Sequence, residues 1–591
     1  MFSSSQLRTR CLVLLQSSLT TITFFFQIHA QMIRNHLFPA DAFVARRALE
    51  FVVSSPQGAN LNYALKIFDQ IPHPNTFAWN TMIRCYANSP FPACSLGLFN
   101  RMIRSSSFAI DAKPNSYTYP FLLKACARLS AVREGEKLHG FMVGLGADTD
   151  VFSINGLINM YAACGKINSS RLLFDAALTG KEDTVTWNSM LSGYLNSGLI
   201  NLAGKLFDSM PDREKGVVTW NVMINGYSRH GEIDRAKLIF NRMPKRNVET
   251  WNTLMVGYVR CGLLDTARKV FDEIPNRNAV SWSAMITAYT QGDQPNEALS
   301  LFDEMEKSSC FVEPNLSTVV SVLSACTQLG AVERGKRVHD YIERNKMKVD
   351  SIVGTALIDM YAKSGCIETA TSVFKSLKKP KDVFPWTVMI SGLAANGHGF
   401  EALALFHEME STGVRPNRIT FVGVLSACSH GGWVDSAMKY MSLMTEVYGL
   451  EPESEHYGCI VDALGRVGRL TEAVSFIEAM PRRWINDVIW LTLVGSCSFY
   501  GDIAVSEYAL KRLNRFGDVY VLVSNIYAMN GRWVKARNAR SIMESKGIQK
   551  CPGRSSIEIA GAVHDFHSGQ KSYGRIHDIY EMIRIINFRI R

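Results

Sequence analysis

Thirteen cysteines are spread through this 591-residue chain, yet no two stand three apart. The Cys-x-x-Cys pairs that hold zinc or run disulfide exchange are therefore absent. Most cysteines recur with a longer period: Cys126, Cys326 and Cys428 share one place, and Cys164 and Cys261 share another before a glycine. That pattern reads as small buried filler in a reducing compartment, with neither a metal site nor a disulfide framework to expect. No stretch approaches the roughly 18 uninterrupted apolar residues a membrane span needs, so no membrane partner is expected. Charged residues make up only 20% of the chain and the net charge is +11. This excludes a polybasic tail but leaves a mild basic excess that suits a phosphate-bearing partner. The first forty residues lack acidic side chains altogether, none preceding Asp41, whereas Arg8, Arg10, Arg34 and many Ser and Thr are present. That is the composition of an organellar transit peptide, expected over residues 1–41. A secretory signal would need the run from Leu12 to Phe26 to be apolar throughout, and Gln16, Ser17, Ser18, Thr20 and Thr21 interrupt it.

What the chain does have is repetition. Val185-Thr186-Trp187-Asn188, Val218-Thr219-Trp220-Asn221, Glu249-Thr250-Trp251-Asn252 and Val280-Ser281-Trp282-Ser283 follow one template, each succeeded by a turn glycine and an Ala-rich stretch closing on Phe. A period of roughly 31 to 37 residues is the signature of a stacked array. It also resolves the question of size, because the chain is too long for one growing core. From Val217 to Asn247, Trp220, Met223, Ile224 and Tyr227 fall at i, i+3, i+4 and i+7 of a first helix ending near His230-Gly231. Ile233, Ala236, Ile239, Phe240 and Met243 form the stripe of a second helix stopped by Pro244. Such a hairpin cannot bury both stripes alone, so neighbours must stack. The expected fold is all-α, a superhelical solenoid of helix-turn-helix repeats. Alanine recurs four residues before the closing Phe, at Ala64, Ala203, Ala236, Ala267, Ala298, Ala370 and Ala402, where a small side chain lets helices approach.

Helical hairpins of this length, with Thr-Trp-Asn openings and Leu-x-Ala-Cys variants near Ser116, Leu316 and Arg418, resemble the pentatricopeptide repeat family. The likeness is to its plant subclass, which mixes long, short and standard repeats. About thirteen repeats over residues 42–486 match it. Tetratricopeptide repeats have a similar period, but their Trp-x-x-Leu-Gly-x-x-Tyr opening is missing here. Residues 487–552, with Tyr520 to Tyr527, Gly531-Arg532-Trp533 and Lys550-Cys551-Pro552-Gly553, resemble the E-type extension of such arrays. Residues 553–591 resemble a truncated form of the further extension that leads into a deaminase in longer relatives. The resemblance implies a right-handed superhelix.

The resemblance also implies where RNA is read: at the fifth and last residues of each repeat. The pairs are Asn80 with Asn115, Asn155 with Asp183, Asn188 with Gly216, Asn221 with Asn247, Asn252 with Asn278, Ser283 with Asn315, Thr355 with Asp382, and Thr387 with Asn417. A carboxylate can only accept, and only uracil and guanine offer a ring N–H on the pairing edge, whereas Asn can donate to cytosine or adenine. In the family, Asn at the fifth place goes with pyrimidines and Ser or Thr with purines. Read 5′ to 3′ from the amino terminus, the pairs spell C, any, U, pyrimidine, C, C, A, any, G, A, any, any. The second residue of each repeat should flank a base on its face, and Phe152, Val185, Val218, Val280, Ile352 and Phe384 suit that role. The alternative for the fifth residue is a helix-start polar group satisfying the first turn.

Two near-matches to catalytic motifs are coincidences. His230-Gly231-Glu232 resembles half of a deaminase zinc motif but stands in a repeat turn, and no Cys-x-x-Cys follows. Gly330 to Lys336 nearly spells a phosphate-binding loop, yet Arg337 replaces the hydroxyl residue that would bind magnesium and no strand precedes it. The resemblance thus implies a non-catalytic specificity factor for C-to-U RNA editing, without metal or cofactor. Its implied partners are single-stranded organellar RNA, a DYW-type deaminase acting in trans and multiple organellar RNA editing factor proteins. Its expected address is the mitochondrion, with the chloroplast as alternative. The alternative function is RNA stabilisation, processing or splicing without editing.

Overall fold

The computed structural model describes residues 4–16, 22–35, 37–38, 41–54, 61–106, 113–146, 150–177, 183–308, 312–377, 380–513, 517–545, 554–559 and 562–567. The chain divides into two compact bodies, Met1–Asn276 and Arg277–Arg591. In each, paired helices follow one another along the chain. Part of the carboxy-terminal extension falls outside the described residues, including Lys550-Cys551-Pro552-Gly553, Ile579 and Tyr580.

The repeat read from Val217 is a first helix, Val217–Arg229, and a second, Ile233–Arg242. Gly231 turns between them at φ +77°, a left-handed conformation that costs a residue without Cβ little. The second helix ends before Pro244, which has no backbone N–H to continue it. First helices pack on first helices, as Val151–Ala163 does on Thr184–Asn196 and Val217–Arg229 on Val248–Arg260. Ala64, Ala203, Ala236, Ala267, Ala298, Ala370 and Ala402 are all fully buried.

The sequence signature of Trp and closing Phe is a joint between repeats. Phe174 meets Trp187, Phe207 meets Trp220, Phe240 meets Trp251 and Phe374 meets Trp386, each edge-to-face with centroids 4.7–5.0 Å apart. Aromatic pairs in this geometry contribute about 0.5–1.5 kcal/mol beyond their buried area. Trp187, Trp220 and Trp386 are buried in this joint, and Trp251 is half-buried. Close approach of the first helices falls on glycine: a Cβ on Gly392 would lie 2.6 Å from that of Ala362.

The array extends past both ends of the recognisable period. Ile22–Arg34, inside the segment expected as leader, packs with Phe25 and Met32 fully buried. At the other end Asp487–Tyr500, Ile503–Leu510, Gly517–Met529 and Trp533–Ser545 continue the helical pairs. A two-stranded antiparallel hairpin, Arg554–Ile559 with Ala562–His567, departs from the all-α expectation. The helices themselves follow it throughout.

Candidate nucleic-acid interface

The second residue of each repeat stands out from the packed surface. Exposure runs from 53% at Val185 to 77% at Phe152, with Val218, Val280, Ile352 and Phe384 between. Phe77, Tyr117, Ile419 and Val488 hold the same place and are also exposed, though they were not singled out from sequence. Their signal was register: each lies two residues beyond the last residue of the preceding repeat. Glu249 and Ser317 put polar groups in this row.

The last residue of a repeat is the N-cap of the next first helix. Asn247 Oδ1 accepts from Thr250 N at 2.9 Å, Asn278 Oδ1 from Ser281 N, Asn315 Oδ1 from Thr318 N and Asn417 Oδ1 from Thr420 N at the same distance, and Asp183 accepts from Val185 N at 3.3 Å. The helix-start role considered for the fifth residue thus falls on the last one. A cap needs an oxygen, which fixes the amide orientation. At Asn247, Asn315 and Asn417 the cap occupies Oδ1 and leaves the NH2 group to donate elsewhere. Third-place hydroxyls reinforce it, Thr250 Oγ1 donating to Asn247 Oδ1 at 2.8 Å and Thr420 Oγ1 to Asn417 Oδ1 at 3.0 Å. Asp382 caps Val383–Ala395 without a side-chain hydrogen bond, and Gly216 has none to offer.

Fifth residues lie lower than the second-place row. Asn155, Asn252, Ser283 and Thr387 are buried, while Asn80, Asn188, Asn221 and Thr355 are half-buried. Two repeats bring their pair into one network. Asn80 Nδ2 donates to Asn115 Oδ1 at 3.0 Å, and Thr118 Oγ1 donates to Asn80 Oδ1 at 2.7 Å. Thr387 and Thr420 hydroxyls are 2.7 Å apart, linking Thr387 to Asn417. No direct hydrogen bond among the described residues joins Asn155 to Asp183, Asn221 to Asn247, Ser283 to Asn315 or Thr355 to Asp382. Ser283 and Thr355 hydroxyls donate back to their own helices, to Val280 O and Ser351 O. The Oδ1 atoms of Asn155, Asn188 and Asn221 are buried without any hydrogen-bond partner. Leaving such a group unsatisfied costs about 1–3 kcal/mol, so each calls for a partner from outside the protein, a water or a ligand.

Eleven residues are close to three helical turns, which places the thirteenth residue of a first helix on the same face as the second. Cations recur there and at the ninth place. Arg229 donates to Asn196 Oδ1 at 3.0 Å, Arg260 to Asn225 Oδ1 at 2.9 Å and Lys124 to Asn88 Oδ1 at 2.7 Å, each reaching back one repeat. The partners are neutral amides, so the positive charge is retained. Lys363 and Arg466 are instead paired with Asp359 and Asp462.

The near-catalytic motifs serve the fold. His230 Nε2 lies 2.6 Å from Leu195 O in the turn between helices. Gly330 caps Leu316–Leu329 in a left-handed conformation, and Lys336 pairs with Glu333 on the following helix. Cys126, Cys326 and Cys428 are fully buried, as is Cys497, which shares their place. Burial pushes the Cys126 and Cys497 thiols up to about 12 and Cys428 to about 11.

Comparison with known proteins places these features in a family. A PPR repeat model matches residues 77–107, 185–214, 218–248, 249–278, 355–379, 419–447 and 455–485. A related PPR repeat family model matches 277–328 and 381–430, and an E motif model matches 500–558. The chain is 43% identical over 568 residues to the pentatricopeptide repeat-containing protein At5g66520 of Arabidopsis thaliana, covering 95% of this chain and 79% of that one. It is 44% identical over 563 residues to At3g29230 of the same plant, covering 94% and 91%. Among solved structures, that of the pentatricopeptide repeat protein PPR10 from maize aligns with 93% of this chain and 90% of its own, at 17% identity and a TM-score of 0.41.

Proposed function

Because this chain belongs to the pentatricopeptide repeat family, we propose that it binds single-stranded RNA by sequence in an organelle. There it serves as the site-recognition factor for C-to-U editing and brings a DYW-type deaminase, acting in trans, to the chosen cytidine. The observation that carries the reading is the slot repeated along the first helices. A raised apolar residue stands at the second place, a recessed polar residue at the fifth, and a capping Asn or Asp with a spare polar atom at the last. The partnerless Oδ1 atoms of Asn155, Asn188 and Asn221 lie in that recessed row, where a base edge would satisfy them. Exposed Phe152 and Ile352 offer faces on which a base stacks. Arg229, Arg260 and Lys124 follow on the same helical face, suited to the phosphates between bases.

The E motif match at residues 500–558 fits the editing branch of this reading, since arrays with that extension are the ones the resemblance ties to deaminase recruitment. Multiple organellar RNA editing factor proteins are the further partners on this view. The mitochondrion is the proposed address, and a fluorescent fusion of the first hundred residues distinguishes it from the chloroplast. Sequencing organellar RNA from plants lacking the protein tests the function. Loss of one or a few edited cytidines downstream of C, any, U, pyrimidine, C, C, A, any, G, A supports editing. Altered transcript ends or retained introns with intact editing would instead establish stabilisation, processing or splicing as the role.

A further inference from the structure

The repeat that opens at Ala42 lies upstream of every matched repeat and has no reading pair assigned to it. Its packing shows that it is built like the others. The preceding helix, Ile22–Arg34, presents Phe25 to Phe51 in a stacked pair with centroids 5.1 Å apart. His29 Nδ1 is hydrogen-bonded to the Tyr63 hydroxyl at 2.8 Å, so the same helix also holds Leu61–Asp69, the second helix of the Ala42 repeat. Ser4–Gln16 in turn packs on Ala42–Ser54, as first helices pack on first helices elsewhere in the array. Ile22–Arg34 therefore plays the part of a second helix, and Ala42–Ser54 is a supported first helix rather than a frayed end.

Counting from Ala42 puts Phe43 at the second place, Arg46 at the fifth and Asn75 at the last. Phe43 and Phe77, the second-place residues of this repeat and the next, are both exposed. The Arg46 guanidinium lies over the Phe77 ring, 3.9 Å from its centroid, and Arg8 and Arg47 each approach the Phe43 ring to 5.7 Å. Arg8 is paired with Asp41, and Arg47 with Glu50 at 2.9 Å; Arg46 Nε is 3.6 Å from the same Glu50. Three guanidinium groups thus share two carboxylates. Asn75 Oδ1 is occupied by the cap on Ala78 N at 3.0 Å. What the reading place offers a ligand is donors only, from the Arg46 fork and the Asn75 amide. Its stacking on Phe77 holds the fork in one plane.

We propose that this repeat binds one further nucleotide, a guanosine on the 5′ side of the tract, with Arg46 donating to guanine O6 and N7. Those two adjacent acceptors match a guanidinium fork, the commonest specific contact of arginine with a base; cytosine O2 and N3 also accept, and a 5′ C that gains as much as G would overturn the assignment. The inference rests on the base-reading function proposed above and adds a specificity residue to it.

Fluorescence anisotropy with the full chain tests it, using a labelled synthetic RNA of the tract alone and the same RNA carrying 5′ G, A, C or U. The 5′ G should tighten binding relative to the other three bases by about 5- to 150-fold, the range of one good bidentate contact. Arg46→Gln should erase that preference while the bare tract still binds. Arg46→Lys should keep the affinity gain but blunt the discrimination, because an ammonium is a point charge. An equal gain from all four bases would mean a phosphate contact and overturn the assignment, as would no gain from any base while the bare tract binds. Failure to bind the bare tract would defeat the base-reading function itself, and this inference with it.

Discussion

Replacing Asn247 by Asp separates reading from folding. Asn and Asp are equivalent helix caps, and Asp keeps the oxygen that accepts from Thr250 N at 2.9 Å and Thr250 Oγ1 at 2.8 Å. The change in stability should stay within about 0.5 kcal/mol. What changes is the outward atom: the NH2 donor becomes an oxygen that can only accept. Opposite cytosine N3, an acceptor, the carboxylate forfeits a hydrogen bond and repels, whereas uracil N3–H finds a partner. One base contact of this kind discriminates by about 1–3 kcal/mol, or about 5- to 150-fold. The assay is paired: a thermal melt, and anisotropy with RNAs that carry C or U at the place paired with Asn221 and Asn247. Preference should move from C to U with an unchanged melt. A variant that melts normally and still prefers C by the wild-type margin would refute the claim that the last residue reads the base.

Phe152→Ala removes an exposed stacking face and should weaken RNA binding by about 1–3 kcal/mol, leaving the melting temperature near wild type. Arg229→Gln and Arg260→Gln should each lower the slope of log affinity against log salt by about 0.7, the single-strand value per phosphate contact. Gly392→Ala forces a methyl to 2.6 Å from the Ala362 Cβ, which has no rotamer to yield. Overpacking of about 1–3 kcal/mol should exceed the roughly 1 kcal/mol gained in helix propensity, so urea denaturation should show a net loss. Buried thiols make stability fall at alkaline pH: the unfolded chain releases their protons from about 9, while the folded chain holds Cys126 protonated to about 12. The unfolded state then binds fewer protons, and stability declines as pH rises above 9. Cys126→Ala should flatten part of that decline in melting temperature between pH 8 and 10.5.

The hairpin architecture was legible because its two stripes obey the 3.6-residue period so plainly, as Trp220, Met223, Ile224 and Tyr227 do. The meeting of Phe207 with Trp220 was not, since a pattern within one repeat says nothing of what it faces in the next. At the amino terminus composition masked periodicity. Phe25, Ile28, His29 and Met32 fall at i, i+3, i+4 and i+7, inside residues whose lack of acidic side chains is what suggests a leader. After Ser454 the signal weakened because Tyr520 stands where other repeats place Trp, although the helices persist. Within the site, the eight reading pairs came from family resemblance. Structure added that the last residue is also the cap, a role sequence reasoning had assigned to its partner. It also added the recess of the fifth residues, which depends on contacts between repeats.

Each Phe–Trp joint connects a repeat to its immediate successor and to nothing beyond. Within either body, cohesion is then a sum of nearest-neighbour couplings, as in a zipper, and an opened joint frees its two flanks to fray separately. Mutational damage should accordingly remain local, and bound nucleotides that span a joint would act as splints across it.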